Sequence, residues 1–259
     1  MDENQRYRTG QSQLEGLDAE AARKVQEGLK DIAPDLGKFI IEFAYGDIFS
    51  RPGLDVKSRQ IATISALAAL GNAEPQLKFH IGAALNIGIT PNEIIEVIYI
   101  VTIFAGFPAG LNSINAAREV FNNKGIVVEK MENPKGHRRN RGLDTLATTS
   151  KGSGEEVVNS LSDIAPHMAD YVLDFAYGDV ISRPLLTPKW KEIAMIATGV
   201  SKGTMWPQVK VHLKAALNVG CSKDEIVEIM YQMAVYAGFP AALNGIAAIK
   251  EVLKEIQEE

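Results

Sequence analysis

An internal duplication constrains this chain more than any other feature. Residues 31–121 reappear as residues 163–253 at a constant offset of 132 positions, without insertion or deletion, and 42 of the 91 aligned residues are identical. The chain therefore contains two copies of one domain. We expect a first domain over residues 1–121, a linker over residues 122–137 and a second domain over residues 138–259. The linker is rich in Asn, Gly and Pro, a composition that favours turns over helix.

The identical residues cluster in short runs. Four of these runs are unchanged in both copies: DIAP at 31 and 163, FAYGD at 43 and 175, SRP at 50 and 182, and AGFPA at 105 and 237. Core positions tolerate exchanges among Ile, Val, Leu and Met of similar volume, so they drift after a duplication. Charged and aromatic positions that stay fixed need another reason, and we look for functional residues in these runs.

Helix start and stop signals punctuate each repeat. Thr90–Glu93 and Ser222–Glu225 each place a hydroxyl and a glutamate at the spacing of a capping box. Asp55 is a predicted N-cap, and Gly71 follows the same helix as its C′ residue. Apolar residues then recur every three or four positions, which is typical of a helix with one buried face. We predict an all-α fold, a tandem duplication with five or six helices per repeat and no strand.

Composition restricts the class of protein. The chain has 259 residues and a formal net charge of −5, and its longest apolar stretch is shorter than the roughly 20 residues of a membrane span. Its amino terminus lacks the apolar segment of a secretory signal, and a single cysteine, Cys221, fits a reducing compartment. We expect a cytoplasmic protein. The basic residues at 137–139 could form a nucleic-acid tail, but the acidic balance favours a solvated hinge and no nucleic-acid partner.

Two histidines are the first candidates for chemistry. Of the four histidines only His80 and His212 share a repeat position, each on a helix of Ala, Leu and Ile. They are either core histidines bonded to a backbone group or proton donors and acceptors that work near neutral pH. Neither has a His, Cys or acidic residue at i+3 or i+4, so we predict no metal site.

Glu192 faces Gln60 across the repeat. An amide keeps the shape of a carboxyl group but cannot exchange its proton, so acid–base chemistry at this position is open only to the second copy. The alternative is a solvated carboxylate in the first turn of a helix, where the helix dipole favours it. We assign that second role to four further glutamates: Glu93, Glu96, Glu225 and Glu228.

Two arginines end the FAYGD-x-x-SRP segments. Arg51 and Arg183 lie four residues after Asp47 and Asp179, so each could pair with its aspartate across one helical turn. Alternatively, each guanidinium could fork onto a substrate carboxylate, a geometry that lysine reproduces less well. The chain has no Gly-x-Gly-x-x-Gly motif, phosphate loop, His-Glu-x-x-His or Cys-x-x-Cys, so we predict no cofactor.

The sequence resembles the carboxymuconolactone decarboxylase family, which has an AhpD-like helical domain. The similarity lies in FAYGDIFSRPGL at 43–54, LKFHIGAALNIGITPNEIIEV at 77–97 and FAGFPAGLN at 104–112, and it recurs in the second copy. The thiol branch of this family, the AhpD-like alkylhydroperoxidases, has a Cys-x-x-Cys before the histidine. AEPQLKFH and MWPQVKVH contain no cysteine, so we do not expect thiol peroxidase activity.

The resemblance implies a cofactor-independent carboxy-lyase acting on a small carboxylated lactone. Loss of carbon dioxide would send electrons into the conjugated lactone carbonyl, so the protein need only position and protonate the substrate. The resemblance implies catalytic roles for His80, His212 and Glu192, and substrate contacts for Arg51, Arg183, Tyr45 and Tyr177.

The resemblance also implies assembly into rings of six domains. Several helices are apolar over much of their circumference, so we expect the two repeats to pack on each other and the chain to form a homo-oligomer, a homotrimer of two-domain chains. Two other functions stay open: a different acid–base reaction, such as isomerisation or hydrolysis, and a non-catalytic role in ligand binding or assembly.

Overall fold

The computed structural model describes residues 3–151, 159–161 and 163–258, and its regular structure there is helical. The first repeat contains α1 (Glu3–Leu17), α2 (Ala21–Leu29), α3 (Pro34–Phe39), the π-helix π1 (Ile40–Phe49), α4 (Val56–Leu70), α5 (Glu74–Asn86), α6 (Pro91–Ala105) and α7 (Phe107–Asn123). The second contains α8 (Arg138–Ser150), α9 (Pro166–Tyr171), the π-helix π2 (Val172–Ile181), α10 (Pro188–Lys202), α11 (Trp206–Asn218), α12 (Lys223–Tyr236) and α13 (Phe239–Glu258). The predicted all-α tandem fold is confirmed.

The local signals for helix ends are also confirmed. The Asp55 carboxylate accepts a hydrogen bond of 3.0 Å from the backbone N–H of Ser58, and Gly71 closes α4 at a φ of 71°. Both capping boxes are complete: the hydroxyl accepts from the glutamate N–H, and the glutamate accepts from the N-cap N–H. These bonds satisfy backbone donors that a helix start leaves without partners.

The glycine of each FAYGD run allows two helices to cross. A Cβ atom on Gly46 would lie 2.6 Å from the carbonyl oxygen of Arg6, and one on Gly178 would press in the same way on the carbonyl oxygen of Arg138. Helices α1 and α8 therefore pass directly over π1 and π2. Any larger side chain would separate them, so this part of the run is fixed by packing.

The aspartate of each run secures the same crossing. Asp47 accepts a hydrogen bond of 2.9 Å from Nε of Arg6, and Asp179 lies 2.9 Å from the guanidinium of Arg138. The possible pairing of Asp47 with Arg51 is therefore wrong, as is its counterpart in the second repeat. Arg6 on α1 and Arg138 on α8 pair with these aspartates instead.

The two repeats pack on each other through α4 and α10, and their apolar side chains form one shared core. Arg51 donates from Nε to Glu228 at 2.8 Å, and Arg183 donates from Nε to Glu96 at 2.8 Å. These contacts are reciprocal, as at a two-fold interface. Glu96 and Glu228 are each only 4% exposed, so the prediction that they are solvated carboxylates is wrong: each is buried against an arginine of the other repeat.

The chain between α7 and α8 carries no regular structure and lies against both repeats. Asn92 of α6 donates to the carbonyl of Glu129, and Arg141 of α8 donates to the carbonyl of Gly136. Arg139, in the first turn of α8, binds both Asp170 and Asp174. The positive charge of Arg139 is therefore paired with carboxylates of the second repeat. Among the described helices, none combines the length and the apolar character that a membrane crossing would require.

Candidate active site

The two histidines occupy equivalent places in the two repeats. His80 on α5 has Nδ1 2.9 Å from Oε1 of Gln60 on α4, and His212 on α11 has Nδ1 2.8 Å from Oε2 of Glu192 on α10. All four side chains are buried. The structure thus brings together the histidine and the Gln60/Glu192 position, which lie twenty residues apart in sequence. One pair can only share a hydrogen bond, whereas the other can also transfer a proton.

The histidine of the first repeat lies among aromatic rings. Phe49 stacks on His80, and Phe79 and Tyr236 meet its edge or face with ring centroids 5.0 Å away. Tyr45 is hydrogen-bonded to Tyr236 and is also buried. Burial lowers the pKa of His80 to about 3 and raises the pKa values of both tyrosines. His80 is therefore neutral at physiological pH.

A buried neutral histidine has a consequence for acid stability. Unfolded His80 gains its proton near pH 6.5, whereas the folded group resists it until about pH 3. Below about pH 6 the unfolded state therefore binds more protons, and the free energy of unfolding should fall by about 1.4 kcal/mol per pH unit from this group. Urea titrations of wild type and His80→Gln between pH 7 and pH 4 measure that slope. The slope should be shallower in His80→Gln and unchanged in His167→Gln, a surface control; equal slopes in all three proteins contradict the prediction.

The second repeat builds a different environment at the same place. Phe104 of the first repeat packs T-shaped on His212 with a centroid distance of 5.2 Å, in the place that its counterpart Tyr236 of the second repeat takes beside His80. Tyr177 is half-buried, and its pKa is raised by burial and by the charge of Glu192. This repeat therefore holds an ionisable pair in mostly apolar surroundings.

A cavity of about 230 Å³ reaches Glu192 of this pair. Its described lining comes from three elements: Asp144, Thr145, Thr148 and Thr149 of α8, Ile181 and Ser182 at the end of π2, and Pro188, Lys191 and Glu192 of α10. In the first repeat the counterparts of Thr149 and Ile181 are Leu17 and Phe49, which are buried in an apolar cluster with Tyr45. Larger apolar side chains thus occupy the first repeat where polar and smaller ones line a cavity in the second.

The predicted substrate arginines are each held by a glutamate of the opposite repeat. Arg183 is held by Glu96 and lies 5.5 Å above the ring of Tyr99, and it lines a separate cavity of about 550 Å³ with Phe107 and Phe175. Arg51 is likewise held by Glu228. Each arginine already binds a carboxylate of the protein, and Arg183 and Glu192 line different cavities. Sequence reasoning missed this because the partners are far apart in the chain.

Other chemistry finds little support in the described residues. No three His, Cys, Asp or Glu side chains within them come close enough to hold a metal ion. Cys221 is buried, as expected of a residue that fills a gap, and burial raises its pKa to about 12. A thiol with so high a pKa is a poor nucleophile near neutral pH.

Comparison with known proteins agrees with the duplicated architecture. The sequence profile of the carboxymuconolactone decarboxylase family matches residues 34–119 and again residues 166–251. A 4-carboxymuconolactone decarboxylase of Acinetobacter baylyi is 38% identical over 132 residues, which cover 51% of this chain and 98% of that protein. A nitrosuccinic acid decarboxylase of Metarhizium robertsii is 29% identical over 85 residues, 33% of this chain and 59% of that protein.

A solved structure extends the likeness over both repeats. A candidate gamma-carboxymuconolactone decarboxylase subunit from Burkholderia xenovorans LB400 has a TM-score of 0.59 and covers 96% of this chain and 98% of its own. At 24% identity this likeness establishes the fold alone. The family match covers most of both repeats, and the Acinetobacter relative is matched over nearly its full length. The chain belongs to the carboxymuconolactone decarboxylase family.

Proposed function

We propose that this protein is a cofactor-independent decarboxylase acting on a small carboxylated lactone of the γ-carboxymuconolactone type. The observation that carries the proposal is the buried Glu192–His212 pair beside the 230 Å³ cavity. That volume is below the roughly 300–1,000 Å³ of pockets for drug-sized ligands, so it suits a small acid. The names of the Acinetobacter and Metarhizium relatives support decarboxylation of a small acid as the reaction class.

The pair can supply what such a reaction needs. The bond between the reacting carbon and its carboxylate breaks, carbon dioxide leaves, and the electron pair passes into the conjugated lactone carbonyl. The resulting enolate then takes one proton at carbon. Glu192 lines the cavity and can deliver that proton, and His212, 2.8 Å behind it, can replace the proton afterwards.

The first repeat has a different role in this proposal. Gln60 cannot exchange a proton, and His80 is neutral and enclosed by aromatic rings. We assign catalysis to the second repeat and a supporting role to the first, through the shared core and the reciprocal ion pairs. An assembly role, which the sequence left open, is therefore favoured for one repeat.

Carbon dioxide release tests the reaction itself. Wild-type protein incubated with γ-carboxymuconolactone should release one equivalent of carbon dioxide per lactone consumed, measured by a coupled carbon dioxide assay and by loss of the substrate. Lactone loss without carbon dioxide would indicate isomerisation or hydrolysis on the same scaffold. No turnover of any carboxylated lactone would contradict the enzyme assignment.

We also propose that three chains assemble into a ring of six repeats. Exposed apolar residues recur at the 132-residue offset, and we infer that they form a repeated apolar surface: Ile32, Leu36, Phe39, Phe107 and Leu111, matched by Ile164, Met168, Tyr171, Phe239 and Leu243. Leu111 and Leu243 are 64% and 65% exposed. Large exposed apolar patches mark interaction sites, and two equal surfaces on one chain suit a closed ring.

Light scattering measures that assembly. Wild type should have about three times the 28.2 kDa mass of one chain, whereas Leu111→Glu combined with Leu243→Glu should shift it toward the monomer because charge is costly to bury. Val127→Glu is the control, since Val127 is exposed but lies outside the repeated surface. A monomeric wild type removes the proposal.

A further inference from the structure

The cavity at Glu192 needs a cation if it is to hold an organic acid. Of the described residues that line it, Asp144 and Glu192 are acidic and Lys191 alone is basic. A carboxylate that leaves water for such a site is stable only when it is paired and hydrogen-bonded. We propose that Lys191 binds the carboxylate that a dicarboxylic substrate retains; this role rests on the proposed function of the same cavity.

The arginines do not meet this need. Arg183 donates its Nε to Glu96 and lines the other cavity, and Arg51 donates its Nε to Glu228 in the opposite half of the molecule. Freeing Arg183 would leave Glu96, which is 4% exposed, without that partner, and freeing Arg51 would remove one of the two arginines that bind Glu228. Breaking a buried pair in that way costs several kcal/mol.

The counterpart of Lys191 in the first repeat is Arg59, whose two terminal nitrogens are bound inside the protein. Arg59 is fully buried and donates to Oε2 of Glu228 at 2.8 Å, to the carbonyl of Arg51 at 2.8 Å and to Oε1 of Gln232 at 3.2 Å. It therefore joins the ion pair between the repeats. It offers little to a ligand.

Lys191 donates hydrogen bonds only to backbone carbonyls among the described residues. Its Nζ donates to the carbonyl of Arg183 at 2.6 Å and to the carbonyl of Ile181 at 2.7 Å. Ile100 stands where Gln232 stands in the other half and offers no acceptor. An ammonium group has three N–H donors, so one donor stays without an acceptor among the described residues. A cavity-lining lysine in the second repeat thus stands where the first repeat has a buried arginine bound to Glu228.

Partial burial strengthens the attraction of the Lys191 ammonium group for an anion. Burial lowers the pKa of Lys191, while the charges of Glu96 and Glu192 act in the opposite direction. A desolvated ammonium gains more from a carboxylate than a hydrated one does, because the local dielectric constant is lower. The two backbone carbonyls also fix its position, so little side-chain entropy is lost when a ligand binds.

The chemistry decides which carboxylate Lys191 binds. Decarboxylation removes negative charge from the leaving group, so a cation on that group would stabilise the substrate more than the transition state. A cation on a second, retained carboxylate stabilises both equally and lowers KM without slowing the reaction. Lys191 therefore sets a preference for acids with a second carboxylate.

Calorimetric titration with adipate, an unreactive six-carbon dicarboxylate, tests the site apart from turnover. Relative to wild type, Lys191→Met and Lys191→Gln should both weaken adipate binding by roughly ten- to a hundredfold. Lys191→Gln keeps donors for the two carbonyls, so it separates the charge from a structural role. Lys189→Met is the matched control, because Lys189 lies on the same helix but pairs with Glu225 and is not among the described lining residues.

The outcomes separate this inference from the proposed function. If wild type decarboxylates a lactone, Lys191→Met should raise KM by a similar factor and leave kcat within a few-fold. An unchanged adipate Kd in both Lys191 variants overturns the role of Lys191 even if the lyase activity is present, and so does the absence of adipate binding to wild type at millimolar concentration. Lysine-dependent adipate binding without any decarboxylation supports the site and removes the proposed reaction.

Discussion

Glu192→Gln should lower kcat for decarboxylation by about 10²- to 10⁴-fold, the usual contribution of a positioned general acid or base. The substitution keeps the shape of the side chain and its hydrogen bond to His212, but it removes the exchangeable proton. It also reproduces Gln60, the residue that the first repeat carries at this position. The fold should therefore survive, and KM should change much less than kcat.

Steady-state kinetics with γ-carboxymuconolactone give both constants. Gln60→Asn is a matched control, since it alters the amide beside His80 and leaves the second repeat intact. Its kcat should stay within a few-fold of wild type. If Glu192→Gln keeps the full kcat, proton delivery by Glu192 is wrong and another group must protonate the enolate.

Glu228→Ala should reduce the free energy of unfolding by about 3–5 kcal/mol, the usual cost of removing one partner of a buried ion pair. Glu228 receives hydrogen bonds from both Arg51 and Arg59, and Arg59 is fully buried. Without the carboxylate, the fully buried guanidinium of Arg59 loses the one carboxylate to which it is hydrogen-bonded among the described residues. The loss should appear as a lower midpoint in urea unfolding.

Two comparisons give this prediction its control. Glu96→Ala should cost less, because the side chain of Arg183 is 12% exposed and can reach water. Glu27→Ala, which breaks an exposed pair with Arg23, should cost at most about 1 kcal/mol. A loss in Glu228→Ala no larger than the loss in Glu27→Ala would contradict the account of the interface between the repeats.

The sequence predicts the fold where the signals are local. Capping boxes, the Asp55 N-cap and the C′ glycine act within one helical turn, so their residues suffice to mark the helix ends. The constant offset of the duplication carries each assignment into the other repeat. The all-α class follows from these signals and from the spacing of apolar residues.

The sequence does not reveal which partner a charged residue takes. Arg51 has Asp47 nearby but binds Glu228, 177 residues away, because the packing of the repeats brings Glu228 closer. The unchanged FAYGD runs were interpreted as functional, yet Gly46 and Asp47 mainly hold a helix crossing. A residue required for packing and a residue required for catalysis both stay unchanged after a duplication, so identity between the repeats does not distinguish them.

The difference between the repeats indicates the candidate site more sharply than their identity does. Gln60 and Glu192 differ by one functional group, and this difference predicted which half could exchange a proton. Phe49 fills the first repeat, and its counterpart Ile181 lines the cavity of the second. Both are ordinary apolar residues, so the sequence does not indicate which repeat has a cavity. Only the packed structure distinguishes a filled site from a cavity.

The kcat values of His80→Gln and His212→Gln, measured side by side, test the central claim most directly. The two substitutions are chemically identical and fall at equivalent positions of the two repeats. With catalysis in the second repeat, His212→Gln should lower kcat by about 100-fold or more, while His80→Gln should stay within a few-fold of wild type. Equal losses in the two variants, or a larger loss in His80→Gln, would contradict it.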